Sequence, residues 1–249
     1  MAVIFVKIRN DEGEIYRSYH DFWRLVDLSG FDKCELSEVD KDSDNIYIFS
    51  PVNGNTINYI NTPHKARFIA WQLERPNNGD ENKEGIDRHG IEEMWFYDRA
   101  ICKRDGLKYV IIGGHPDLGG EKTECQYDMM NMCYLYGKRT RQCNKLIQRG
   151  LSLSPNSYDL KERDIELASS RYGLCLHQDD EPVIEPLRFV LFACWKLPLI
   201  VEYSHDYHPY LIQGWDKDID NEVAILQAEY NYRLMTEVHT FRRCVEDAL

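Results

Sequence analysis

Apolar positions in the first 115 residues fall in short runs separated by stretches of helical spacing. Val3 to Ile8 is one such run and predicts a strand. Tyr16 to Leu28 places Tyr19, Phe22, Trp23, Val26 and Leu28 on one side of a helix, which Gly30 ends. Asn45 to Phe49 predicts a strand running into the turn-prone Ser50-Pro-Val-Asn-Gly54. Lys65 to Leu73 predicts another, stopping at Glu74-Arg75-Pro76, with a Gly-containing polar loop over 77–84. Glu92 to Tyr97 and Tyr109 to Ile112 read as strands with a short helix from Asp98 to Lys103 between them, and Gly113-Gly-His-Pro116 then breaks the pattern.

A second block repeats the alternation. Cys125 to Tyr136 reads as a strand, Lys138 to Gln148 as a basic helix, Leu151 to Leu153 as a strand and Leu160 to Ser170 as a helix. Tyr172 to Leu176, the polar loop His177 to Glu181, the helical Ile184 to Trp195 and Pro198 to Val201 make a βαβ unit. From Asn221 onward the period is helical to the C-terminus. Regular alternation predicts an α/β fold with parallel sheets: two small halves, 1–115 and 125–220, facing a cleft and closed by C-terminal helices over 221–249 that pack back across the halves.

Composition narrows the partners. The chain has 249 residues and a formal net charge of −12, which disfavours a dedicated duplex-DNA binder. A local exception is 138–149, where Lys138, Arg139, Arg141, Lys145 and Arg149 occur with no acid, as a solvated face or an anion-binding surface. Eight cysteines without a CxxC pair, several inside apolar runs, fit reduced thiols and a cytoplasmic setting. No apolar run reaches the length of about eighteen residues that a membrane helix requires, and Met1 to Arg9 is too short and too soon charged for a signal peptide.

In open α/β sheets ligands sit beyond the carboxyl ends of the strands, so the loops there carry the candidate chemistry. In the second half these are His177, Gln178, Asp179, Asp180, Glu185 and Arg188. Pro186 opens a helix behind Glu185, whose start favours anions such as a diphosphate as well as the Glu185 carboxylate itself. In the first half Glu74 and Asp98 end strands. Glu74 is a candidate general base beside Arg75, and Asp98 is either a base or the cap of its helix. His205-Asp-Tyr-His208 lacks further ligands at a recognised spacing, so no metal is expected. The sequence contains no P-loop, GxGxxG, GxSxG or HExxH motif.

The stretch from His177 through Glu185-Pro-Leu-Arg-Phe189 to Leu197-Pro-Leu-Ile200 resembles the donor-binding half of GT-B glycosyltransferases. Trp71-Gln-Leu-Glu-Arg-Pro76, Trp95-Phe-Tyr-Asp98, Gly113-Gly-His-Pro116 and Tyr134-Leu-Tyr-Gly-Lys-Arg139 are similar to its acceptor loop, strand end, linker and first nucleotide-binding strand. Small bacterial or phage-type relatives of the spore-maturation glycosyltransferases are nearest in pattern. The resemblance implies a UDP- or GDP-linked sugar as donor and no obligatory cofactor, with Glu185 on donor hydroxyls and Arg139 or Lys145 facing the diphosphate. Gly114, His115, His177, Gln178 and Arg188 complete the donor side, and Glu74 and Asp98 are the catalytic candidates. The implied reaction is sugar transfer to a hydroxyl, with a hydroxylated base in phage-type DNA as one acceptor. Many retaining relatives carry a second Glu eight residues after the first, where this chain has Ala193, so a catalytically degenerate binding or assembly module is the alternative.

Overall fold

A computed structural model describes residues 1–7, 19–50, 64–73, 93–133, 135, 137–157, 159–177, 185–203, 209–215 and 217–249. The chain divides into two compact units, Met1–Ile111 with Cys244–Leu249, and Ile112–Arg243.

Unit 1 is built on six parallel strands: β1 (Val3–Lys7), β2 (Asp32–Glu35), β3 (Ile46–Ser50), β4 (Arg67–Trp71), β5 (Glu93–Phe96) and β6 (Lys108–Tyr109), in the order 2-1-3-4-5-6. Every residue of β3 is buried, as expected of a central strand covered on both faces. Helix α1 (His20–Leu28) buries Phe22, Trp23, Leu25 and Val26. Phe22 meets Phe5 and Trp71 edge-on at 5.9 and 5.6 Å, aromatic geometry that adds to simple area burial. Helix α2 (Arg99–Asp105) starts at Asp98, whose carboxylate accepts the Ile101 N–H at 2.9 Å, and ends at Gly106 in the left-handed region, φ +71°.

Unit 2 holds four parallel strands in the order β10-β9-β8-β7: β7 (Tyr127–Asn131), β8 (Ser170–Cys175), β9 (Leu199–Val201) and β10 (Ile212–Gly214). On the free side of β7 a single parallel bridge joins Met129 to Leu153. Its helices are α3 (Gly137–Gln148), α4 (Leu160–Ala168), α5 (Pro186–Cys194) and α6 (Asn221–Arg233). Helix α5 buries all of Phe189, Val190, Leu191 and Phe192. It lies so close to β8 that a Cβ at Gly173 would sit 2.4 Å from the Phe192 ring, so this strand position requires glycine. The final helix, α7 (Phe241–Ala248), begins in unit 2 and supplies its last residues to unit 1, where the Leu249 carbonyl accepts from Arg67 at 3.3 Å.

Several boundaries differ from the sequence expectations. The strands β2 and β10 were not anticipated. The strand expected over 109–112 is only Lys108–Tyr109, because Val110 leaves the ladder after a last bond to the Phe96 carbonyl at 2.8 Å. The helical stretch after Asn221 is interrupted by a π-helical turn, Leu234–Val238. Among the described residues no helix is long and apolar enough to cross a membrane.

Candidate functional site

The order of unit 2 locates its ligand-binding end. Taking β7 as first and the Leu153 segment as second, the sheet runs 2-1-3-4-5, and the chain reverses direction across the sheet between β7 and β8. A crevice opens at such a switch point beyond the carboxyl ends of the two strands. Two buried arginines occupy it. Arg139 is the third residue of α3 and Arg188 the third residue of α5, at 4% and 9% exposure.

Each guanidinium is fixed by backbone at a strand end. Arg139 Nε donates to the Leu176 carbonyl at 2.9 Å, and Arg188 donates to the Met132 carbonyl at 3.1 Å and lies 3.5 Å from Cys175 Sγ. Both then converge on Glu185, Arg139 pairing with one carboxylate oxygen and Arg188 with the other. Burial works against the charge on Arg188, and the neighbouring Cys133 sulfur and Glu185 carboxylate more than offset it, so its pKa stands above the ordinary value.

A second layer surrounds the pair. Glu202, just past β9, accepts from the His177 N–H at 3.1 Å, from Gln142 at 2.7 Å and from Lys138 at 2.9 Å. The described cluster therefore gathers Lys138, Arg139 and Arg188 around Glu185 and Glu202, leaving one net positive charge beside the N-termini of two helices. Such an arrangement favours an anion. The Glu185 side chain, 43% exposed, presents its open side to solvent.

His177 is buried, and its Nε2 lies 2.7 Å from the Tyr203 carbonyl, so Nε2 carries the proton and donates. Burial lowers its pKa below the ordinary 6.5, keeping the ring neutral at pH 7. As pH falls through 6.5 the unfolded chain takes up this proton while the folded chain resists it, so stability falls on acidification in that window. Chemical unfolding followed from pH 7.5 to 5.5 is expected to show this loss, and His177→Gln to flatten it. The carboxylates with lowered values, Asp44, Asp128 and Glu229, titrate below that window.

Burial pushes Cys34 and Cys143 up to about 11, and Cys175 and Cys194 up to about 12, so these four are thiols at neutral pH and are not activated as thiolate nucleophiles. No group of three or more metal-binding side chains occurs among the described residues, and His205 and His208 lie outside them.

The remaining expected site residues are dispersed. Lys145 lies two turns along α3 from Lys138, with its ammonium 5.9 Å from the Trp215 ring centroid. Gly114 is enclosed by backbone: its N–H bonds to Met235 and His239 carbonyls at 3.2 and 3.0 Å, and its carbonyl accepts from Phe241 at 2.8 Å. His115 uses Nδ1 to accept the Asp117 N–H at 3.2 Å. Asp98 is 1% exposed and caps α2. Glu74, Gln178, Asp179 and Asp180 lie outside the described residues. Glu202 and Gln142 were overlooked, although Glu202 directly follows a recognised strand and so met the criterion that selected the others.

No protein-family model and no curated protein matches the sequence. Solved structures do match. AviGT4, a glycosyltransferase involved in avilamycin A biosynthesis, superposes with a TM-score of 0.56 at 12% identity over 99% of this chain and 96% of its own. An α-glucosyltransferase in complex with UDP and a 13-mer DNA superposes at 0.50, with 11% identity over 100% and 94%. A mutant of TarM from S. aureus in complex with fondaparinux, α-GlcNAc-glycerol and UDP gives 0.53 at 12% identity, over 84% of this chain and 55% of that protein. At these identities the likeness is one of fold: two parallel-sheet α/β units in the GT-B arrangement of elements.

Proposed function

We propose that this GT-B-fold chain is a nucleotide-sugar-dependent glycosyltransferase whose donor diphosphate binds in the β7/β8 crevice. The observation that carries the reading is the pair of buried arginines, Arg139 and Arg188, each in the first turn of a helix that follows a strand and both fixed by carbonyls at the strand ends. A departing nucleoside diphosphate gathers negative charge, and prepositioned cations and helix N-termini stabilise it without reorganising. Glu185 then has two tasks. It neutralises the arginines before the donor arrives, and its exposed side accepts from donor hydroxyls once phosphate oxygens take over the guanidinium bonds. Of the acceptor-side carboxylates, Asp98 caps α2 through Oδ1 and Glu74 lies outside the described residues, so the proposal rests on the donor side.

For the acceptor we propose a hydroxyl-bearing base of DNA. Arg141 and Lys145 lie at i and i+4 on one face of α3, positive charge in an acidic chain, with Lys138, itself paired to Glu202, one turn before them. The α-glucosyltransferase of similar fold is itself held with DNA. Binding to a hydroxymethylated duplex should weaken steeply with salt, and Arg141→Glu should reduce the slope by about one. No binding at low salt would remove this acceptor.

The donor reading is tested by thermal shift with UDP, GDP and their glucose, N-acetylglucosamine and mannose conjugates. At a ligand concentration of about 100 Kd the matching nucleotide should add about 2.7 kcal/mol, read as a rise of several degrees. If no nucleotide shifts the transition, the reading fails. A second reading, binding without turnover, is favoured by Ala193: this position is fully buried in α5 and offers no second carboxylate. A nucleotide that stabilises the protein yet is never released from its sugar conjugate, with any acceptor, would select it.

A further inference from the structure

At the opposite end of the unit 2 sheet, where β7 and β8 begin, two cavities adjoin. One, of about 330 Å³, is polar and is lined by Asp128, Arg149, Arg171, Lys217 and Asp218 with the Trp215 ring. The other, of about 650 Å³, is mostly apolar and runs along α6 past Pro198, Ala224, Ile225, Leu226 and Ala228, with the Lys196–Glu229 ion pair also on its wall. Arg171, Tyr172 and Asn221 line both, and the Tyr172 hydroxyl donates to the Asn221 side-chain carbonyl, so this pair forms the ridge between them. Each volume lies in the range that holds a small organic ligand.

The charge in the polar cavity favours an anion. Its two acids are already engaged. Asp128 accepts from the Ser152 N–H and hydroxyl, both at 2.9 Å, and these bonds hold its pKa below the ordinary carboxylate value. Asp218 pairs with Arg149 at 3.2 Å. Three cations face these two acids. Lys217 has no acidic partner among the described residues, and Arg171 reaches Asp128 only at 3.8 Å with over half of its side chain exposed. The apolar cavity has a different need. Ile225 and Leu226 are each 71% exposed, two neighbouring aliphatic side chains left in water beside a groove that an alkyl chain would fill.

We infer that this end of unit 2 binds one molecule of an anionic single-chain amphiphile, its phosphate- or sulfate-bearing head against Arg171 and Lys217 and its alkyl chain along Ala224, Ile225 and Leu226. The site lies at the amino ends of the strands whose carboxyl ends carry the arginine pair, so it is separate from the donor crevice and does not depend on the glycosyltransferase reading. A charged head alone would lose the groove, and a neutral amphiphile would lose the cations.

Isothermal titration with dodecyl phosphate below its micelle concentration tests this. One site per chain is expected, with dodecyl maltoside at least tenfold weaker and inorganic phosphate giving no saturable heat at millimolar concentration. Leu226→Glu and Lys217→Glu change exposed side chains, so both should fold with an unchanged far-UV spectrum. Each should weaken dodecyl phosphate at least tenfold and leave any nucleotide-induced thermal shift in place. Absence of one-to-one binding, equal affinity for the maltoside, or two folded variants with wild-type affinity would overturn the inference. Sedimentation with phosphatidic acid vesicles in the absence of binding to the single amphiphile would also overturn it, replacing a one-molecule groove with a membrane surface.

Discussion

Replacing Arg188 with methionine is expected to lower stability by about 2 to 3 kcal/mol and to weaken UDP binding by about a hundredfold. Methionine retains an apolar stem of similar reach and loses every donor. The Met132 carbonyl then loses a bond of 3.1 Å in a buried setting, and Glu185 loses one of its two cations. Breaking a buried pair from one side commonly costs more, but Glu185 is 43% exposed and can turn toward water or keep Arg139, which holds the cost near the lower end. Affinity should suffer at least as much as stability, since a hundredfold loss is about 2.8 kcal/mol and a phosphate in the crevice has no such escape and loses half of its buried positive partners. Urea unfolding and a UDP titration of the same preparation separate the two effects. Arg188→Lys keeps the charge without the planar fork and should recover only part of the affinity, since an ammonium does not reach the carbonyl, the thiol and the phosphate together. If Arg188→Met loses stability while UDP binding is unchanged, the arginine pair is a clamp for Glu185 and the donor reading falls.

The architecture was legible wherever burial on both faces wrote itself into the sequence. Strand β3, helix α5 and the strands around α5 are nearly all apolar, and Gly, Pro or charged residues mark their ends, so spacing located them within a few residues. The two strands that escaped notice lie at sheet edges. Asp32–Glu35 pairs with β1 through its backbone while its side chains are exposed or half-buried, and Ile212–Gly214 is three half-buried residues beside β9. Edge strands need no alternating apolar face, and so carry little signal of the kind that reveals central ones.

The site was legible one residue at a time. Glu185 and Arg188 are marked by the loop and proline that open α5, and Arg139 by its place in the basic run. Their meeting is a different matter, because the Arg139 to Glu185 bond joins residues 46 apart in the chain. Sheet order, which places β8 beside β7 across the switch point, creates that contact, and no local pattern encodes sheet order. The same holds for Gly114. In the sequence it is part of a Gly-Gly-His-Pro break and suggests a ligand-facing turn. Its bridge to Thr240 shows a packing role that the sequence did not suggest, formed because the π-helical turn after α6 brings the chain back against it.

Gly114→Ala therefore separates packing from ligand contact. A Cβ there would lie 2.8 Å from Cys194 Sγ, 2.9 Å from Met235 Cβ and 3.0 Å from the Met235 carbonyl, so α5 and the π-helical turn would both have to shift to admit one methyl group. Neither is free to do so cheaply, since Cys194 ends a helix whose core face is fully buried and Met235 is itself 0% exposed. Overpacking of this kind costs about 1 to 3 kcal/mol, and with obstruction from both sides a value near 3 is expected. In a chain of this size that is a drop in Tm of roughly 6 to 12 °C. The glycine's backbone bonds to Met235, His239 and Phe241 hold the turn in place, so the shift should also loosen the start of α7, read as faster amide exchange at Phe241. The folded fraction at low temperature should bind UDP with wild-type affinity, because the arginine pair is fixed to Met132, Leu176 and Cys175 and not to this turn. A variant that keeps its Tm but loses UDP would instead put Gly114 against the donor.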